Sequence, residues 1–542
     1  MTDKRRPGRA PADTDAHVDG PGSETPTEST GSDGREERRP IDGRSPAQAF
    51  PAEASPAEAS VDGNDGAPDG DGGELDDAAA LERRRGGPAL DALIGMGAIV
   101  VISDQIGLPL SLNRTLDGDL EGIFAVVACL LAAVALVTRG SRLAAAGFVA
   151  VTVAHLLFKS LSLSNHGIWI LILGIGLVFV VATSLVRRRP DDQTTVATIS
   201  VIGVVTLVAY SAAAFSKVNE SFLDPVTSCA SQFATFWTSR LGLDPTAGAL
   251  GWIVVVGTAL TEVSVAVLAV FRRTRHAAIL LGVTFHWLIA FDDYRHFFDF
   301  SVLVMLGLTA LGGTPLLAEL GDALKTDAGR IWAWTVGVIG LGLVLLWAAL
   351  NLSPSQFNAA YGNGPDYLLR QIWWLVASVP WVALVLRHSV REIRARRCVP
   401  RLPLGPAAAV AGLLALVIAA GPYLGYRNQL TFAMYSGLIA ENGRSNHLVV
   451  REVATVGWPD QIGRITSSDD ARLSSYVGTV MPWPEIRFIL REIDADSITI
   501  EINGEERSGS SRELAGRSFL PPSLELQRFT PLTPDDVACR WQ

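Results

Sequence analysis

Between residues 89 and 423 the chain is almost wholly a succession of long apolar runs separated by short polar breaks, and no other feature limits its fold so severely. A helix needs roughly 20 mostly apolar residues to cross the hydrocarbon of a bilayer. The runs fall near 89–108, 122–138, 143–162, 167–186, 194–216, 249–271, 276–291, 298–315, 331–350, 371–386 and 405–423. The expectation is an all-α polytopic membrane protein of about eleven transmembrane helices.

Basic residues orient such a bundle, because short loops rich in Lys and Arg stay cytoplasmic. With the N-terminus inside, 19 of them fall on inner connections, from Arg83–Arg85 through Arg139, Arg142, Arg187–Arg189 and Arg272 to Arg401. The outer connections keep only scattered ones such as Arg114, Arg240, Arg295 and Arg370. The plain role of these clusters is topological anchoring, with no nucleic-acid partner implied. The expected localisation is a multi-pass cell-membrane protein with its N-terminus cytoplasmic and its C-terminal region outside.

The flanks are different material. Residues 1–80 hold 19 acidic against 8 basic side chains and almost no large apolar ones. Such a segment cannot bury enough surface to offset chain entropy. Residues 1–82 are therefore expected to be a disordered acidic tail, without a secretory leader because the first long apolar run begins only near Leu90. From 426 to 542 the pattern is soluble. Ile498, Ile500 and Ile502 alternate with polar residues and run into Asn503-Gly504, a strand entering a tight hairpin. Pro484–Ile493 reads as an amphipathic helix. A small non-cytoplasmic α+β domain is expected there.

The usual soluble-enzyme signatures are absent: no Cys-x-x-Cys pair, no Gly-Lys-Ser/Thr phosphate loop, no His-Glu-x-x-His and no Gly-x-Ser-x-Gly. No metal site is expected. Four cysteines exclude a disulfide framework, although Cys229 and Cys539 both fall on the oxidising side and are permitted to pair.

Ionisable side chains inside spans are costly and mark pathways or reaction sites by default. Four stand out: His166 opening the fourth span, Lys217 closing the fifth, Glu262 in the sixth and His286 in the seventh. Each has a plainer role open to it. Lys217 can snorkel to the interface, His166 can bond a backbone carbonyl, and Glu262 with His286 can glue two helices. The run Phe291–Phe300 reads as an interfacial aromatic belt with a charged turn.

At these residues the sequence resembles the vitamin K-dependent γ-carboxylase-like family, also called the horizontally transferred transmembrane (HTTM) domain. The resemblance runs from about the third span to the start of the C-terminal domain. It is carried by Asn165-His166, Phe215-Ser216-Lys217 followed by Glu220 and Phe222, Glu262, and Phe285-His286. Lys217 precedes Glu262 by 45 residues and His286 by 69, spacings that match the family's, while the 51 between His166 and Lys217 are slightly fewer. Further matches are Pro422–Arg427, Thr431–Leu438 and Gly443–Leu448.

The resemblance implies a quinol-dependent oxidoreductase or carboxylase-like enzyme in which Lys217 is the base toward a menaquinol or vitamin K-type hydroquinone, with His166, His286 and Glu262 in its pocket. It also implies O2 and CO2 as co-reactants, the quinol becoming an epoxide while a peptide glutamate is carboxylated. Two departures stand out: Phe222 where the family has tryptophan, and a C-terminal region far shorter than the peptide-binding domain of the animal enzymes. The alternative is a non-catalytic membrane protein, lipid-binding, transporter-like or an anchor for its C-terminal domain. A lysine in low dielectric suits the base role independently, since burial disfavours its charged form. Membrane lipid and a quinone arriving through it are the expected partners.

Overall fold

The computed structural model describes residues 72–107, 120–138, 141–158, 165–291, 298–350, 365–441, 443–455, 461–470, 473, 476–491, 493, 495–516 and 527–529. The apolar runs are helices: α1 Gly72–Gly107, α2 Leu120–Val137, α3 Arg142–Phe158, α4 Asn165–Arg187 and α5 Asp191–Ser216. After the short α6 Glu220–Leu223 and α7 Cys229–Ser239 come α8 Gly248–Val270, α9 Arg275–Ile289, α10 Phe298–Ala310 and α11 Gly313–Lys325. The bundle closes with α12 Asp327–Leu350, α13 Pro365–Arg394 and α14 Pro406–Leu424. Among the described residues seven helices (α1, α4, α5, α8, α12, α13 and α14) are long and apolar enough to cross a membrane, or up to eight if the bent pair α10 and α11 is one span.

Two boundaries differ from expectation. Helix α1 begins at Gly72, inside the stretch expected to lack structure. Its opening sequence, Glu74, Asp76 and Asp77 followed by Ala78–Ala80, combines acids that suit a helix N-terminus with the best helix former. Residues 1–71 lie outside the described residues. The run expected as a single span over 298–315 is instead broken by a 118° bend between α10 and α11. Gly312 is followed by Gly313 at a positive φ and then by Pro315, a sequence that cannot carry a straight helix through. Beyond the break α11 is amphipathic. Leu316, Leu317 and Leu320 are buried, while Glu319 pairs with Arg387 (2.7 Å), His388 and Arg391 (both 2.8 Å) on the last turns of α13.

Small residues and indoles hold the helices together, as expected where lipid offers no hydrophobic drive between them. A methyl group at Gly307 of α10 would collide with Thr206 of α5, so this glycine sets their close approach. Indole N–H groups bridge helices: Trp287 to Ser378 Oγ (3.0 Å), Trp332 to the Val376 carbonyl (2.7 Å) and Trp381 to Thr309 Oγ1 (3.2 Å). Helix α1 is central, packing on α2, α5, α10, α11 and α12. Helix α8 is peripheral, with only 22% of its most apolar stretch buried.

Helix α14 ends at Gly425, left-handed at φ +71°. The chain then folds back over the helix ends through β1 Ala440–Glu441 and β2 Arg444–Ser445 before entering a four-stranded antiparallel sheet. The sheet comprises β3 Ile462–Ser468, β4 Val480–Pro482, β5 Ile498–Ile502 and β6 Glu505–Gly509 in the order β4-β3-β5-β6. Ile498, Ile500 and Ile502 all face its core, and Asn503-Gly504, both at positive φ, make the expected turn. Helices α15 Trp483–Arg491 and α16 Ser511–Ala515 complete this small α+β region. Of the cysteines, Cys129 and Cys398 are free and Cys229 is in a disulfide; Cys539, the partner considered above, lies outside the described residues.

Candidate functional site

The last turn of α5 leaves backbone carbonyls without helical partners, and their satisfaction fixes the site. Asn219 caps α6 by accepting from Phe222 N (2.8 Å) while its Nδ2 donates to the carbonyls of Ser216 (2.6 Å) and Ser436 (2.7 Å). Leu448 N donates to Val218 O (3.0 Å), and His447 Nε2 meets Phe215 O (2.9 Å). Segment 431–448, the second stretch that carried the family resemblance, thus clasps the turn holding Lys217.

Lys217 is 6% exposed and does not snorkel. Its Nζ lies 2.8 Å from Glu262 Oε2 and donates to the Met434 carbonyl at 3.1 Å, with the Phe222 ring 5.8 Å away. An ammonium has three donors, so one remains after these two. Lys217 and Glu262 together line a cavity of about 360 Å³ whose other walls are largely aromatic and apolar, among them Phe222, Phe233, Trp237, Phe285, Phe300 and Tyr435. Ile253, Trp237 and Leu288 belong to the lining yet are 67%, 44% and 40% exposed, so they form its mouth between α7, α8 and α9.

His286 stands behind this wall. Its ring packs edge-on against Phe300 (5.6 Å) and Tyr210 (5.6 Å), and its Nε2 is 3.1 Å from the Tyr210 hydroxyl. Nδ1 of His286 is buried with no hydrogen-bond partner among the described residues. The helix-gluing pair considered for Glu262 and His286 is therefore replaced by two pairs, Lys217 with Glu262 and His286 with Tyr210.

His166 joins a different group. Its Nε2 lies 3.5 Å from Asp104 Oδ1 and 3.3 Å from Asp299 Oδ2. Gln105 Nε2 contacts Asp104 Oδ2 (2.7 Å) and His155 Nε2 (3.3 Å). The two groups adjoin along the chain, because Asp299 precedes Phe300 of the cavity wall. The aromatic run is also not an interfacial belt at its described end. Phe298 is fully buried against Trp373 and Trp374, and Phe300 faces the cavity. Residues 292–297 lie outside the described residues.

Sequence reasoning missed Tyr210, Asp104, His155 and Asp299. Tyr210 lies seven residues before Lys217, hence on the same helix face, and the other three are ionisable residues in or beside apolar runs. The Met434 carbonyl carries no side-chain signal at all. Among the described residues no group of three or more His, Cys, Asp or Glu is arranged to hold a metal ion. No family model, no curated protein and no solved structure matches this chain, so its reading rests on this geometry.

Proposed function

We propose that this chain is a multi-pass membrane protein of eleven spans that admits a lipid-soluble hydroquinone to the Lys217 cavity and removes a hydroxyl proton from it, as the resemblance to the γ-carboxylase-like HTTM family implies. The count adds the bent pair and the three shorter apolar helices α2, α3 and α9 to the seven long ones. It places the N-terminus in the cytoplasm and the C-terminal domain outside, by the bias of basic residues.

The observation that carries the chemistry is a buried lysine and a buried carboxylate, 2.8 Å apart, in an apolar cavity with a lateral mouth. The resting ion pair is costly in low dielectric, and once the entering ring excludes water, transfer of one proton from Lys217 to Glu262 leaves both groups neutral. The amine lone pair is then a base. The aromatic walls suit a planar ring, and the exposed apolar rim lets an isoprenoid tail remain in lipid. The hydroquinone supplies the acidic hydroxyl and the electrons that dioxygen takes up. This chain's residues orient the ring, exclude water and hold the proton. His166 belongs, in this reading, to the neighbouring carboxylate cluster rather than to the ring-binding wall.

Oxygen consumption by the protein in nanodiscs, supplied with a short-chain menaquinol, tests the proposal. Both Lys217→Ala and Lys217→Arg are expected to fall to background, because a guanidinium stays protonated and cannot accept the proton. An arginine variant with the wild-type rate overturns the base role. A lipid-binding protein without catalysis, favoured by the ion-paired state of Lys217, would show quinone binding with no lysine-dependent oxygen uptake.

A further inference from the structure

We propose that Thr258 binds a second ring oxygen, so that the Lys217 cavity selects a para-dihydroxy ring over a ring with a single hydroxyl. The inference deepens the hydroquinone reading and rests on it.

The lining is apolar but for a few side chains, and in such a site those few decide which way a ligand lies. Lys217 and Glu262 are spent largely on each other, and Trp237 gives its indole N–H to the Leu288 carbonyl at 3.3 Å. Thr258 and Thr261, both half-buried on α8, also belong to the lining. A threonine inside a helix commonly turns its hydroxyl back to the carbonyl four residues earlier. Thr238, Thr284, Thr309 and Thr335 do so, at 3.0, 2.8, 2.6 and 2.8 Å. Thr258 and Thr261 form no hydrogen bond among the described residues. A hydroxyl both donates and accepts, so theirs are left for whatever fills the cavity.

Their placement on α8 says which part of a ligand each meets. The α8 residues of the lining fall on successive turns, with Ile253 at the mouth, Gly257 and Thr258 next, then Thr261 and Glu262. Residues four apart share a helix face and lie about 6 Å apart along the axis. Thr258 therefore stands one turn from Glu262, between the ion pair and the mouth. That rise is comparable to the separation of the two oxygens across a hydroquinone ring. A ring with one hydroxyl at Lys217 Nζ, lying along α8, brings its opposite oxygen to Thr258 and its tail toward Ile253. An added Cβ at Gly257 would meet no atom within 4 Å, so the helix leaves open space beside Thr258 for the ring edge. Thr261 lies at the depth of Glu262, by the first oxygen.

The test measures equilibrium binding of two probes to the full-length protein in nanodiscs, under anaerobic reducing conditions. One probe is a short-chain menaquinol. The other is the matching naphthol that lacks only the hydroxyl beside the prenyl group. Both are measured on wild type, Thr258→Val and Thr261→Val. Valine keeps the branched shape and removes the hydroxyl, and partitioning of each probe into lipid is common to the three proteins, so it cancels between them.

Wild type is expected to bind the menaquinol about fivefold more tightly than the naphthol, the worth of one hydrogen bond. Thr258→Val should bind the two alike, with naphthol affinity unchanged from wild type, and Thr261→Val should keep the preference. A wild type that does not distinguish the probes overturns the proposal without any variant. So does a Thr258→Val protein that still prefers the menaquinol, or a Thr261→Val protein that loses the preference. If neither probe binds, the hydroquinone reading falls and this inference with it; if both bind without distinction, only the second-oxygen site falls.

Discussion

Splitting the Lys217–Glu262 pair is the perturbation whose size the structure sets most directly. At 2.8 Å the two charges attract by about 6 kcal/mol at an effective dielectric near 20. Both side chains are more than nine-tenths buried, so most of that attraction offsets their desolvation. Removing one partner discards the attraction and leaves the other charge buried. Lys217→Met or Glu262→Gln should each cost about 3–5 kcal/mol, more than most single substitutions. The double variant carries no charge and should return to within about 1 kcal/mol of wild type. Reversible unfolding of the purified protein in mixed detergent micelles, read for all four proteins, gives the coupling energy. Two single variants costing less than about 1 kcal/mol each, with additive effects in the double, would refute the claim that the pair is buried and interdependent.

Other consequences are independent of that pair. In the proposed topology the exposed thiol of Cys398 is cytoplasmic, so a membrane-impermeant maleimide should modify it only after cells are permeabilised; modification in intact cells inverts the orientation. Gly307→Ala should destabilise by about 1–3 kcal/mol, because the added methyl meets Thr206, and a thermal melt unchanged from wild type contradicts the packing. In the C-terminal domain the Ser510 backbone N–H, and then its side chain, hold the Glu513 carboxyl below its ordinary value as part of a capping box. A depressed carboxyl stabilises above its unfolded value and loses that contribution as pH falls through the folded one. Amide exchange in α16 should therefore lose protection on acidification below about pH 4.5, and Glu513→Gln should abolish that dependence; an unchanged profile in the variant refutes it.

The helical segments were legible because a bilayer-length apolar run has few alternatives, and Ile498–Gly504 because alternation followed by Asn-Gly specifies a hairpin. The bend at Gly312-Gly313 was written in the sequence too, but the apolar run continued through it and masked the break. The site was readable only in part. Lys217 and Glu262 announced themselves as ionisable residues in apolar runs, and residue type alone cannot say that they meet each other rather than Glu262 meeting His286. That pairing depends on the rotation of α8 against α5. His166 looked equivalent to His286 by the same criterion, yet it meets Asp104 and Asp299, both placed by long-range packing of α1 and α10. Residues 431–448 carry part of the resemblance, but their contacts with the lysine turn are largely to backbone carbonyls and amides, which every residue type possesses.

A cryo-electron microscopy map of the protein extracted with its native lipids tests the central claim most directly. The account predicts a planar, quinone-ring-sized density within hydrogen-bonding distance of Lys217 Nζ, bounded by Phe222, Phe285 and Phe300, with a tail leaving past Ile253 and Leu288 into the bilayer. A cavity filled only by acyl chain, with Lys217 still locked to Glu262 and no ring against it after incubation with excess menaquinol, would contradict it.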